Sequence, residues 1–215
     1  MDFNTRSSPG GPSRQPGSTP PRSSPGGEFS RSDPVRSFVD TFRRVIFSPK
    51  DFFHGLPPRG SFLDPLIFAV VCAVIDAILT ATFQELAHTL LGMQLFSTDT
   101  GFVLNALRGF VLTIIALVVV TGVYQLFVRI IIGANNGGLE ATFRVLCYVQ
   151  AVQPFTFLPL LNLLAGIYGL YLSAFGFQEV HSTTYGRAAA VAALPIVLLI
   201  LVVILFFGAL IGLSV

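Results

Sequence analysis

From Leu63 to the C-terminus the chain is a series of long apolar runs separated by short polar intervals. A helix needs ~20 apolar residues at ~1.5 Å each to cross a ~30 Å hydrocarbon layer. Lipid offers no partner for backbone N–H and C=O groups, so runs of this length are read as helices. Segments at about 63–84, 106–132 and 189–213 meet the requirement directly. The segment 142–178 is too long for one crossing and carries Pro154 and Pro159 near its middle. Two shorter spans, about 142–159 and 161–178, joined by a tight turn, satisfy its length. The expected fold is therefore an all-α membrane protein, a five-span transmembrane helical bundle. Composition agrees: 11 % of residues are charged, against ~25 % in a typical soluble protein.

The charges are unevenly placed. Residues 1–62 hold nine Lys and Arg, against four in the remaining chain. With the N-terminus in the cytoplasm, twelve of the thirteen basic residues fall on the inner side and only Arg108 lies outside. That places the C-terminus outside and makes the cell membrane the expected location. A net charge of +2, with no concentrated basic face, argues against nucleic acid. The two cysteines, Cys72 and Cys147, lie in apolar runs and read as buried small hydrophobes. No secretory signal is expected, because the first apolar span begins beyond residue 60.

Three regions follow. Residues 1–32 are rich in Ser, Pro, Gly and Arg, with "RSSPGG" at Arg6–Gly11 and again at Arg22–Gly27. So few apolar groups cannot offset the entropy of ordering, and a disordered tail is expected. Residues 33–62 form a juxtamembrane segment. Asp33 can cap a helix beginning at Pro34, in which Val35, Phe38, Val39, Phe42, Val45 and Ile46 share one side and Arg36, Asp40, Arg43 and Arg44 the other. Such a helix is expected to lie in the membrane interface, with Phe52 and Phe53 reaching the bilayer. Residues 63–215 form the membrane domain.

Candidate chemistry is sparse. Glu85 and His88 at i, i+3 resemble half of a carboxylate-bridged metal site. "GFQEVHSTTYGRAAA" adds Glu179, His181 and Ser182. The expected topology puts the two pairs on opposite sides of the membrane, so they cannot share a metal, and neither has enough ligands alone. Ser182 directly follows His181, a spacing that seldom lets the two side chains converge, and no nucleophile elbow or P-loop accompanies it. No enzyme, cofactor or metal is expected. Asp76 is the sharper signal, since a carboxylate within a span costs ~2.5–3.5 kcal/mol unless partnered. Arg108 is the basic residue at comparable depth, and an Asp76–Arg108 pair locking the first two spans is expected. The rival reading is a transport path through Asp76, with Gln125, Gln150 and Gln153 adding polarity at membrane depth. Two small-residue stripes, Ala165, Gly169 and Ser173 and then Gly208 and Gly212, predict close helix packing, within the chain or between copies.

Three stretches in order carry a resemblance: "FSPKDFFHGLPPRGSFLDPL", then "GGLEATFRVLCYVQAVQP" with Gly137, Gly138, Phe143, Tyr148 and Pro154, then "YGLYLSAFGFQEVHSTTYGRAAA" with Gly176, His181 and Arg187. Together they resemble the Yip domain family of polytopic membrane proteins, named for interaction with Ypt/Rab proteins. The resemblance implies five spans, a cytosolic N-terminus and a cytosolic loop containing His181. Small-GTPase binding is not carried over, because the Asp-Leu-Tyr-Gly-Pro signature of the eukaryotic members is absent. The chain is more similar to the prokaryotic branch. The function expected is a non-catalytic protein that organises membrane or holds partners. Those partners are lipid and other membrane proteins or a second copy. A small transporter or channel using Asp76 is the alternative.

Overall fold

The computed structural model describes residues 28–91, 101–134 and 136–212. Among them are seven α-helices and one 3-10 helix, and no strand. They are α1 (Pro34–Phe47), α2 (Pro49–His54), α3 (Leu63–Leu91), α4 (Gly101–Ile131), α5 (Gly138–Val149), a 3-10 segment (Gln150–Phe155), α6 (Pro159–Val180) and α7 (Tyr185–Gly212). Four of these, α3, α4, α6 and α7, are long and apolar enough to cross a membrane. Along α7 every residue from Val197 to Phe206 is exposed and apolar, and α4 presents Val118 and Val119 in the same way. Surfaces of this extent, on helices of spanning length, suit contact with hydrocarbon. The chain is a multi-pass membrane protein whose apolar helix faces contact lipid.

The five-span count is corrected to four. The expected third span is two shorter pieces, α5 and the 3-10 segment. Twelve residues of α-helix cover only ~18 Å. At Gln150 the helix tightens, and Pro154, which has no N–H to donate, sits inside the tightened stretch. The α5 sequence also carries Glu140, Thr142 and Arg144, which suit a protein interior better than lipid. Elsewhere the boundaries extend past the expected spans. α3 continues through Glu85 and His88 to Leu91, and α4 starts at Gly101, so much of the expected outer loop is helix. The tail residues 1–27 lie outside the described residues.

Most of the packing is gathered at one end of the bundle, where α4 finishes, α5 begins and the α6–α7 hairpin turns. There Phe52, Phe53, Phe68, Tyr148, Val145 and Phe177 are fully buried. The Tyr148 ring meets Phe52 edge-on at 4.9 Å and Phe68 at 5.3 Å between centroids. Tyr124 of α4 stands 5.2 Å from Phe177 and donates from its hydroxyl to Ala192 O at 3.2 Å, tying α4 to both α6 and α7. Cys72 and Cys147 are free and buried, as expected of small hydrophobes.

Helix α1 has the expected start: Asp33 caps it, accepting from Arg36 N, and Pro34 is its first residue. Its apolar face departs from the expectation of lying only in the interface. Thr41 and Val45 are buried, Phe38 stacks on Phe68 and Phe42 on Phe155, and Tyr168 Oη donates to Ile46 O. Only Val35, Val39 and Phe47 stay exposed among its large apolar residues. Phe52 and Phe53 likewise end in the protein core and not in the bilayer. The surface that covers these groups belongs to α3, the 3-10 segment and α6, which no local pattern in residues 33–62 could reveal.

Candidate functional site

The polar residues of the packed end fall into two connected constellations. The first is built on the turn between α4 and α5. Gly133 and Gly138 have positive φ (105° and 84°), a conformation that favours glycine, and they let the chain reverse within a few residues. Asn136 holds that turn, donating to Gly133 O at 2.6 Å and accepting from Gly138 N at 2.8 Å. Gly137 N donates to His181 Nδ1 at 3.1 Å. Nδ1 therefore carries the lone pair and the ring proton sits on Nε2, 3.1 Å from Thr142 Oγ1. Thr142 in turn donates to Gln125 Oε1 at 2.6 Å, and Gln125 Nε2 donates to Asn136 Oδ1 at 3.4 Å. Donors and acceptors alternate through the whole chain of contacts. His181 is only 3 % exposed, and burial lowers its pKa to about 4, so it is neutral at physiological pH.

The second constellation centres on Arg144, which is 1 % exposed although it is a full charge. Its Nη1 donates to Ser61 O at 2.9 Å and its Nη2 pairs with Glu28. Gly60 N donates to Glu140, and a Cβ on Gly60 would stand 2.7 Å from Arg144 Nη1. Desolvation raises the Glu28 pKa, and the Arg144 guanidinium opposes that rise. Next to Glu28, Phe29 is buried against Phe68, and Arg31 pairs with Asp64 at 2.6 Å. The last residues of the expected tail are thus docked on the body.

The expected Asp76–Arg108 pair is not formed. Asp76 Oδ1 instead accepts from Thr156 at 3.0 Å and from Thr80 at 3.3 Å, while Arg108 is exposed on α4. None of the ion pairs among the described residues joins the two. Thr156 follows the 3-10 segment, so Asp76 ties α3 to the end of the short hairpin arm. Glu179 turns to His54 (3.1 Å) and not to His181, while Glu85 and His88 are exposed on the last turns of α3. Among the described residues no three His, Cys, Asp or Glu side chains converge on a metal-sized position.

Several positions singled out in the sequence have a local reason. A Cβ at Gly137 would meet Val180 O at 2.4 Å, and one at Gly176 would meet Val145 Cγ1 at 2.4 Å. Tyr148 anchors the aromatic core and Pro154 is buried in the 3-10 segment. Ala165, Gly169 and Ser173 lie on one buried stripe of α6, with Gly169 facing Val152 and Val149. Gly208 and Gly212 fall in the final turns of α7, beyond the residues whose surroundings are described.

This arrangement of Gly137, Gly138, Tyr148, Gly176 and His181 joins the second and third of the stretches that carried the resemblance. The Yip1 domain model matches residues 43–207, well over half of the chain. The chain belongs to the Yip1 domain family. Comparison with curated proteins and with solved structures gives no match. Sequence reasoning missed Thr142, Asn136 and Thr156 within this Yip1 domain, and Glu28 ahead of it, as partners. The run "NNGG" at 135–138 marks the turn, but its link to His181 spans 44 positions.

Proposed function

We propose that this Yip1-domain protein is a non-catalytic membrane protein that holds partners through the face formed by α1, α2 and the two turns of the packed end. The observation that carries the reading is the commitment of the reactive side chains. Both ring nitrogens of His181, the two terminal nitrogens of Arg144 and the Glu179 carboxylate are each engaged by another part of the same chain. Groups held in this way fix geometry, which supports a structural use for them. In this reading the packed end faces the cytosol, following the distribution of Lys and Arg, and the cell membrane is the site of action. Partners are other membrane proteins or a second copy of the chain. Cross-linking in native membranes followed by affinity capture tests it. Partner recovery is expected to survive Asp76→Asn and to fail when residues 33–60 are deleted. Recovery that is indifferent to the deletion overturns the assignment of this face.

A second reading, a small transporter, draws on Asp76, held at membrane depth by Thr156. Solute or ion flux into liposomes that is abolished by Asp76→Asn would favour it over a scaffold.

A further inference from the structure

The short hairpin arm leaves space beside it. Between α4, the 3-10 segment, α6 and α7 lies a cavity of about 410 Å³, within the ~300–1,000 Å³ range of small-molecule sites. One wall is polar and carries Gln150, Gln153, Thr156 and Asn162. The α4 and α7 side is mainly apolar, with Leu117, Val120 and Ile196, and Thr113 and Tyr124 of α4 also line the cavity. No Asp, Glu, Lys, Arg or His is among the residues lining it. Gln153 Nε2 donates to Gln150 Oε1 at 3.1 Å. Among the described residues this leaves the N–H groups of Gln150 and the carbonyl oxygen of Gln153 without a protein partner. Yet Gln150 is only 8 % exposed. The Gln150 amide is mostly withdrawn from bulk water and the Gln153 amide partly so, and their unused donors and acceptor favour a hydrogen-bonding occupant.

We infer that this cavity binds an uncharged amphiphile, a lipid-like molecule whose neutral hydroxyl or ester group meets Gln150 and Gln153 and whose alkyl chain lies along the α4–α7 wall. Three features select that class. Absence of a charged lining residue disfavours phosphate and ammonium headgroups, which would be desolvated without a counter-charge. Paired amide donors and acceptors match hydroxyl and ester oxygens. The lining residues of α4, α6 and α7 all fall inside candidate membrane spans, where the medium outside the helices is hydrocarbon, so a molecule arriving there brings an alkyl chain.

Gly166 supplies the test. It lines the cavity, and a Cβ built on it meets nothing within 4 Å, so a side chain there fills space without a clash. The full chain in lipid nanodiscs is irradiated with a photoreactive monoacylglycerol, and labelled peptides are mapped by mass spectrometry. Labels are expected on the 3-10 segment and the middle of α4 and α6. Gly166→Leu is expected to abolish this labelling and Gly166→Ala to reduce it. The double variant Gln150→Leu/Gln153→Leu is expected to weaken it by about fivefold or more, the equivalent of at least one hydrogen bond. Excess unlabelled monoacylglycerol should compete, and a lysophosphatidylglycerol of equal chain length should not. Labelling spread over the lipid-facing surface and unchanged in both Gly166 variants overturns the site. Equal competition by the charged lipid overturns the neutral-headgroup assignment.

Discussion

His181 shows how a residue with catalytic potential is put to structural use. Its Nδ1 accepts from a backbone N–H and its Nε2–H faces a hydroxyl, so a second ring proton would confront the Gly137 donor. Above pH ~6.5 the imidazole is neutral in both folded and unfolded chains. Below that, the unfolded chain takes up a proton that the folded chain resists until about pH 4. Stability contributed by His181 is therefore full above pH ~6.5 and is lost as the pH falls toward 4, by on the order of 3 kcal/mol. Thermal unfolding of detergent-purified protein, followed by circular dichroism, should fall steeply over this window, and His181→Gln should flatten that part of the curve. An equally steep fall in the variant would remove His181 as the cause. Gly137 offers a contrast in sterics. With Val180 O at 2.4 Å and the Ala141 Cβ at 2.7 Å from an added methyl, Gly137→Ala should cost about 1–3 kcal/mol. Gly122→Ala, where nothing lies within 4 Å, should be neutral or slightly stabilising in the same melting assay.

At the scale of elements, the segment just before α1 acts as a latch. Glu28 reaches Arg144 on α5, Phe29 fills a position beside Phe68 on α3, and Arg31 meets Asp64. Removing one partner of a buried ion pair leaves the other desolvated and unpaired. Glu28→Gln and Phe29→Ala should each release the latch, read as faster tryptic cleavage after Arg31 in the otherwise folded protein. Unchanged cleavage in the Phe29→Ala/Glu28→Gln double variant would show that the segment contributes no anchoring. The start of α1 at Asp33-Pro34 was legible in the sequence because capping is local. The burial of its apolar face was not, because the covering surfaces come from other elements, Phe68 of α3 and, more than a hundred positions away, Phe155 and Tyr168. The same reasoning applies to the third span. Its apolar content suggested a crossing, but Gln150, Gln153 and Pro154 favour a tightened turn packed against α3 and α6.

For the whole molecule, the α5–α6 hairpin begins and ends at the same level, since Gly137 and His181 touch. α7 therefore departs from the end at which α5 started, and α4, which finishes at that end, begins at the opposite one. Topology can be read by adding single cysteines, because Cys72 and Cys147 are buried and should resist a membrane-impermeant thiol reagent. Under the proposed orientation Ser97→Cys should label in intact cells and Ser182→Cys only after permeabilisation. The reverse pattern would invert the protein and move its binding face outside.

The membrane class, the main spans and their boundaries to within several residues followed from sequence alone, because hydrocarbon imposes a length and a polarity that every crossing helix must satisfy by itself. The same holds for the Asp33 cap, where the demand is made by the local backbone. Partner choice was decided only in three dimensions. Asp76 joins Thr156 and not Arg108, Glu179 joins His54 and not His181, and Arg144 is buried beneath Glu28. A buried polar group takes whichever complementary atom the packed backbones bring within ~3 Å, and that distance is set by the apolar faces of helices far apart in the chain.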